Sequence, residues 1–140
     1  MKKAIALILF LVTVSLASCT KEVNTVTDFS KFADMERKTD RIDVTFDNYS
    51  GYPFYFTIDD DGEIEQVMDI IFNATFVKMG KEVNDGDHTS LKIIQGEKVF
   101  VMSVSTNKEG NYYYSFQDGK LQNKIKELAT AAGAYEEIAK

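Results

Sequence analysis

Cys19 is the only cysteine in this chain of 140 residues, and its thiol is the most distinctive reactive group in the sequence. It directly follows Leu16-Ala17-Ser18, and an apolar run from Ala4 to Val14 lies upstream, behind Lys2 and Lys3. A short basic segment, an apolar core of about 7–15 residues and small residues at the exit are typical of a secretory signal peptide. The run is shorter than the roughly 20 residues of a membrane-spanning helix. The sequence therefore predicts an export signal that ends at Cys19.

The four residues Leu16-Ala17-Ser18-Cys19 resemble the lipobox of bacterial lipoproteins, Leu-(Ala/Ser)-(Gly/Ala/Ser)-Cys, at every position. The resemblance implies that the signal peptide, residues 1–18, is removed and that Cys19 becomes a lipidated N-terminus that carries acyl chains such as palmitate. A single acyl chain binds a membrane only marginally, whereas two or more anchor a protein stably. Thr20, rather than an aspartate, follows the cysteine, which by the same resemblance favours the outer membrane. The alternative is an ordinary signal peptide with a chance cysteine.

The composition after residue 18 predicts a small acidic domain. Removal of residues 1–18 removes only two charged residues, Lys2 and Lys3. Fourteen Lys and Arg therefore remain against 22 Asp and Glu, which gives a formal charge of −8. This charge argues against nucleic acid as a partner, because phosphate binding needs an excess of Lys and Arg. With no second cysteine there is no internal disulfide. We expect residues 19–40 to be the lipidated N-terminus and a tether, and residues 41–140 to be one domain.

Alternating and helical patterns follow each other in the order ββ-α-ββ(β)-α. Alternation over 41–47 and 52–58 predicts a hairpin, and helical spacing predicts one helix from Ile64 to about Gly80 and a second over 121–132, ended by Gly133. Further strands are predicted over 91–94, 98–105 and 112–116, with a loop over 107–111. Because 98–105 is apolar on both faces, we expect it to be a central strand. The predicted fold is α+β, an antiparallel sheet of four to five strands with two helices packed on one face.

Residues 41–105 also resemble an uncharacterised family of bacterial lipoprotein domains. In that family a strand with a Gly, Cys, Pro, Tyr motif leads into an Asp-Gly turn, a helix and a second hairpin. The positions that follow this pattern are Gly51, Pro53, Tyr55, Ile58, Asp61 and Gly62. The cysteine before the proline is missing, and the spacing differs by one residue at two points. The resemblance implies a ββαββα fold only, since the family has no assigned activity to carry over.

The acidic run after residue 58 is a candidate calcium site, with Asp59 and Asp61 as ligands. These residues fall on positions 3 and 5 of a calcium-loop template, and Gly62 falls on position 6. The template requires an acidic first residue and a bidentate glutamate at position 12, where this chain has Thr57 and Met68. A solvated turn between a strand and a helix is the preferred interpretation, and no metal or cofactor is predicted.

No catalytic residues are predicted. His88 is the only histidine, and neither a nucleophile elbow nor a phosphate-binding loop is present in the sequence. The tyrosines offer another kind of site, because alternation predicts that Tyr55 and Tyr113 face outward from their strands. Exposed tyrosines suit the binding of protein or carbohydrate, although aromatic residues also fill strands without any binding role.

The predicted function is therefore a non-enzymatic, lipid-anchored binding or interaction module of the cell envelope. Its candidate binding surface is formed by Tyr55 and Tyr113. The membrane is a predicted partner, to which the lipid on Cys19 attaches the protein. Two alternatives stay open: a small envelope hydrolase that uses acidic residues, and an inhibitor of a secreted enzyme. The hydrolase would need two carboxylates within about 5–10 Å of each other in a cleft.

Overall fold

A computed structural model describes residues 23–24, 32–47, 51–79 and 88–135. The signal peptide, Cys19, Gly80 and the turn at 84–87 lie outside these ranges, so the predictions made for them are not addressed by the structure. No helix in the described ranges has the length and apolar character needed to cross a membrane.

The first sheet contains four antiparallel strands, which are β2 (Arg41–Phe46), β3 (Phe54–Ile58), β5 (Ser90–Gln95) and β6 (Lys98–Ser103). Their spatial order is β3-β2-β5-β6. The predicted hairpin is confirmed, since Val44 pairs with Phe56 and Ile42 pairs with Ile58. Alternation within each strand sends one set of side chains into the core and the other set outward.

The second sheet contains β1 (Val23–Asn24), β4 (Phe76–Met79), β7 (Thr106–Glu109) and β8 (Tyr112–Phe116). It is also antiparallel, with the spatial order β1-β4-β8-β7. The α+β class and the antiparallel pairing are confirmed, but the strands form two sheets instead of one. The chain changes sheets at Val104 and Ser105. The Val104 N–H donates to the carbonyl of Thr89, the residue before β5, at 3.2 Å, and the Ser105 carbonyl accepts the Phe116 N–H of the second sheet at 3.0 Å.

Helix α1 spans Asp61–Phe72 and buries Ile64, Val67, Met68 and Ile71, as its spacing predicts. The residue before the helix, Asp60, is its N-cap, and the Asp60 Oδ1 accepts the Glu63 backbone N–H at 3.0 Å. The prediction that the helix continues to about Gly80 is wrong. Asn73 ends it, with its backbone N–H and its side-chain Nδ2 both donating to the Asp69 carbonyl. The chain then enters β4 at Phe76.

Helix α2 spans Lys120–Ala131 and ends as predicted at Gly133, which has a φ of 94°. The Gly133 N–H donates to Thr130 at 3.1 Å, and the Ala134 N–H donates to Ala129 at 2.9 Å. These two bonds form the Schellman arrangement, which favours glycine at the left-handed position. The two helices contact each other, α2 contacts β2, and the residues that the helices bury belong to the same hydrophobic cluster as those of both sheets.

Residues 32–40, assigned to the tether by the sequence, pack against this cluster. Phe32 is 1% exposed and Met35 is 6% exposed. The Gln95 side chain bonds the backbone of Glu36 and the Thr39 hydroxyl, and the Asp40 carboxylate accepts the Gly96 N–H at 2.6 Å. The packed unit therefore includes residues 32–40 and begins before Arg41.

Candidate binding surface

The outward face of the first sheet presents side chains from four paired strands. Strand alternation and burial place eleven side chains there: Arg41, Asp43, Thr45, Tyr55, Thr57, Ser90, Lys92, Ile94, Val99, Val101 and Ser103. None of the eleven belongs to the buried core. Each position is fixed by backbone pairing with its neighbours, so the face is a rigid platform.

Tyr55 lies at one margin of this face and is 69% exposed. Its strand, β3, is an edge strand, and Tyr55 pairs with Thr45 of the neighbouring strand β2. The prediction that this ring faces outward is confirmed. A tyrosine fixed on a strand offers a large amphipathic contact area at a small cost in side-chain entropy.

Polar and charged side chains occupy the centre of the face. Asp43 Oδ1 accepts the Thr57 hydroxyl at 3.2 Å and lies 3.3 Å from Arg41 Nε. Lys92 pairs with Asp43 across the neighbouring strand. Exposed ion pairs of this kind contribute little to stability, in the range of about 0–1 kcal/mol. Together, these contacts hold the Asp43 carboxylate in a fixed position near the centre of this face.

The opposite margin is aliphatic and lies on β6, a strand that was predicted to be central. That prediction is wrong, because β6 is the last strand of the first sheet. Val99 and Val101 are each 50% exposed, and Ile94 on the adjacent strand pairs with Val99. The sequence pattern showed apolar groups on both faces of the strand, but burial was only one explanation of it. Here the outward valines form an exposed apolar margin instead.

Tyr113, the second predicted surface residue, lies on the other sheet. It is half-buried within β8, and the Lys108 ammonium lies 5.5 Å from its ring centroid. Its neighbour Tyr112 is more exposed, at 47%, with the Lys78 ammonium 4.0 Å from its ring centroid. The structure therefore does not place Tyr55 and Tyr113 on one sheet face.

The two calcium candidates flank a residue with a structural role. Asp59 is exposed after β3, and Asp61 is the exposed first residue of α1, while Asp60 between them caps the helix. Within the described ranges, no three His, Cys, Asp or Glu side chains come together as a metal site would require. His88 is exposed, and Asp85 and Asp87 lie outside the described residues.

A groove of about 280 Å³ lies between residues 37–39 and α1. Asp61, Glu65 and Asp69 line it together with Arg37. The Arg37 guanidinium bonds Asp69 and lies 5.1 Å from the centroid of the Phe72 ring. The groove therefore holds carboxylates that are exposed to solvent, and one of them is already paired with an arginine.

Comparison of the chain with protein-family models, with curated proteins and with solved structures finds no match.

Proposed function

We propose that this chain is a lipid-anchored, non-enzymatic binding module of the bacterial cell envelope. The lipobox at residues 16–19 supports export and anchoring through Cys19, and the threonine at position 20 favours the outer membrane. The observation that carries the binding role is Tyr55, which is 69% exposed on a rigid sheet face. The remaining exposed area of that face suits a macromolecular partner better than a small substrate.

The partner we propose is a protein with an apolar patch. The face combines one aromatic ring, a paired carboxylate at Asp43 and an aliphatic margin at Val99 and Val101. Tyrosine is enriched at protein interfaces and among the few residues that supply most of their binding energy. A carbohydrate site would instead need several polar groups converging beside the ring, and the residue paired with Tyr55 on the neighbouring strand is Thr45.

The test is comparative capture from envelope extract with the full-length chain immobilised. Tyr55→Ala removes the exposed ring from the sheet face, and Tyr52→Ala is the matched control, because Tyr52 is 82% exposed but precedes the strand. We expect one protein species to bind the unmodified chain and the Tyr52→Ala variant, and to be reduced at least tenfold on Tyr55→Ala. Equal capture by all three chains would contradict the assignment of the surface.

A further inference from the structure

Within the described ranges, strand β6 is paired along only one of its two edges. This edge pairs with β5 along the whole strand, from Lys98 opposite Gln95 to Ser103 opposite Ser90. Because β6 is the last strand of the sheet, no other strand in the described ranges pairs with its outer edge. A free edge presents unpaired backbone donors and acceptors to any strand that can reach it.

The side chain of Asn107 shows which backbone groups of β6 point outward. Asn107 Oδ1 accepts the Ser103 N–H at 2.8 Å, and Asn107 Nδ2 donates to the Ser103 carbonyl at 3.0 Å. Both backbone groups of Ser103 therefore point away from β5. Since this direction alternates along an antiparallel strand, the backbone groups of Val101 and Val99 also point to the free edge.

Among the described residues, those that protect this edge lie at its two ends. Lys98, the only charged residue of the strand, lies at its start, and Asn107 occupies the backbone of Ser103 at its end. Between them β6 contains no proline and no charge, and the outward side chains of Val99 and Val101 are half exposed. Edge strands that must stay unpaired usually carry a charge or a proline in this central region.

We propose that β6 is the seam of a homodimer, in which it pairs antiparallel with β6 of a second copy of this chain. A two-fold axis at Phe100 places Val99 of each copy opposite Val101 of the other. The N–H and carbonyl groups of these valines then form four backbone hydrogen bonds across the seam. The two first sheets become one continuous sheet of eight strands, and the Asn107 side chains end the new ladder at Ser103.

The outward face supports a second copy as the occupant because the strand is complementary to itself in this register. Val99 and Val101 of each copy meet across the seam, and Ile94 of each copy flanks its own Val99 on the neighbouring strand, so four valines form the contact. Lys98 lies opposite Met102 of the other copy, so like charges do not meet. A register shifted by two residues towards Ser103 would place Val99 opposite Ser103, whose backbone groups Asn107 already holds.

Cysteine cross-linking tests the register directly. Two full-length chains with different tags are produced together, one with Val99→Cys and one with Val101→Cys. Directly opposite residues have Cα atoms about 5.5 Å apart, within disulfide range. Identical positions lie diagonally, about 7–8 Å apart, and outside that range. We expect the mixed pair to cross-link on mild oxidation at least tenfold more than either variant with itself.

Mass measurement in mild detergent supplies the second arm. The unmodified full-length chain should have the mass of two chains, and Val101→Lys should shift it to one chain, because two new ammonium groups meet at the seam. Thr57→Lys is the matched control, since Thr57 lies on the opposite edge strand, and we expect it to stay dimeric. Circular dichroism confirms that both variants are folded.

The proposal would be overturned if the unmodified chain has the mass of one copy at every concentration up to about 1 mM, which is on the order of the dissociation constant of a weak specific complex. Equal cross-linking of identical and mixed positions would also overturn it, as would a Thr57→Lys variant that dissociates like Val101→Lys. The proposal does not depend on the lipid anchor or on Tyr55, so the loss of partner capture and the loss of dimerisation are separate results.

Discussion

The carboxamide of Asn107 holds both backbone polar groups of Ser103, with donor–acceptor distances of 2.8 and 3.0 Å. Asn107 lies in β7 and is only 6% exposed, while Ser103 is the last residue of β6. The side chain thus takes the place of a neighbouring strand at the point where the chain leaves the first sheet for the second. A side chain without both a donor and an acceptor cannot do this.

Asn107→Ala should therefore destabilise the fold. The substitution leaves the N–H and the carbonyl of Ser103 without their partner in a half-buried position, at a cost of about 1–3 kcal/mol. Urea unfolding of the full-length chain measures this loss as a lower midpoint. Asn111→Ala is the control, because Asn111 is exposed in the β7–β8 turn, and we expect it to change stability by less than about 0.5 kcal/mol. Equal midpoints for the two variants would contradict the role of Asn107.

Phe32→Ala tests whether the packed unit includes residues 32–40. Phe32 is 1% exposed, so its truncation removes buried area and leaves a cavity, which typically costs about 3–5 kcal/mol. A melting curve of the variant should show a large drop in Tm. Lys38→Ala, on the exposed side of the same segment, should leave the Tm close to that of the unmodified chain. If residues 32–40 are only a tether, Phe32→Ala will melt like the control.

Two glycines at the ends of α2 should respond oppositely to alanine. Gly133 has a φ of 94°, a conformation that costs an L-residue about 1–2 kcal/mol, so Gly133→Ala should be destabilising. Gly119 has a φ of −80°, and a Cβ there would lie 3.7 Å from the nearest atom, Asn123 Nδ2. Gly119→Ala should be neutral or stabilising by up to about 1 kcal/mol. Chemical unfolding of both variants decides between these signs, and a shared sign would contradict the helix ends described above.

Local patterns predicted the elements that have strong periodicity. Ile64, Val67, Met68 and Ile71 identified the buried face of α1, and the pairing of β2 with β3 followed from alternation. The end of α1 was missed because Phe76 falls at the helical spacing from Phe72, although it belongs to β4. Periodicity cannot detect this change, since the deciding contacts are the hydrogen bonds that Asn73 makes to Asp69.

Strand β7 was missed because Thr106–Glu109 is polar and has no apolar alternation. Its available signal was the Gly110-Asn111 turn, in which Gly110 has a φ of 58° and a two-residue hairpin joins Glu109 to Tyr112. The position of β6 at the edge of its sheet depends on the order of strands that are distant in sequence. Strand order is a tertiary property, so the apolar residues of β6 alone could not distinguish an edge strand from a central one.

The candidate surface was predicted in part. Alternation placed Tyr55 on the outward face, but it could not show that Tyr113 belongs to a different sheet. The exposed valines of β6 were assigned to the core for the same reason. A surface assembled from several strands requires the sheet order, which the sequence pattern does not contain.

The proposed lipid anchor on Cys19 is central, because the proposed envelope location of the binding surface depends on it. The most direct measurement is the mass of the N-terminal peptide of the protein after expression of the full-length chain in a bacterial host. We expect a peptide that begins at Cys19 and carries the added mass of a diacylglyceryl group and an acyl chain. A peptide that begins at Met1, or one that begins at an unmodified Cys19, would contradict the account.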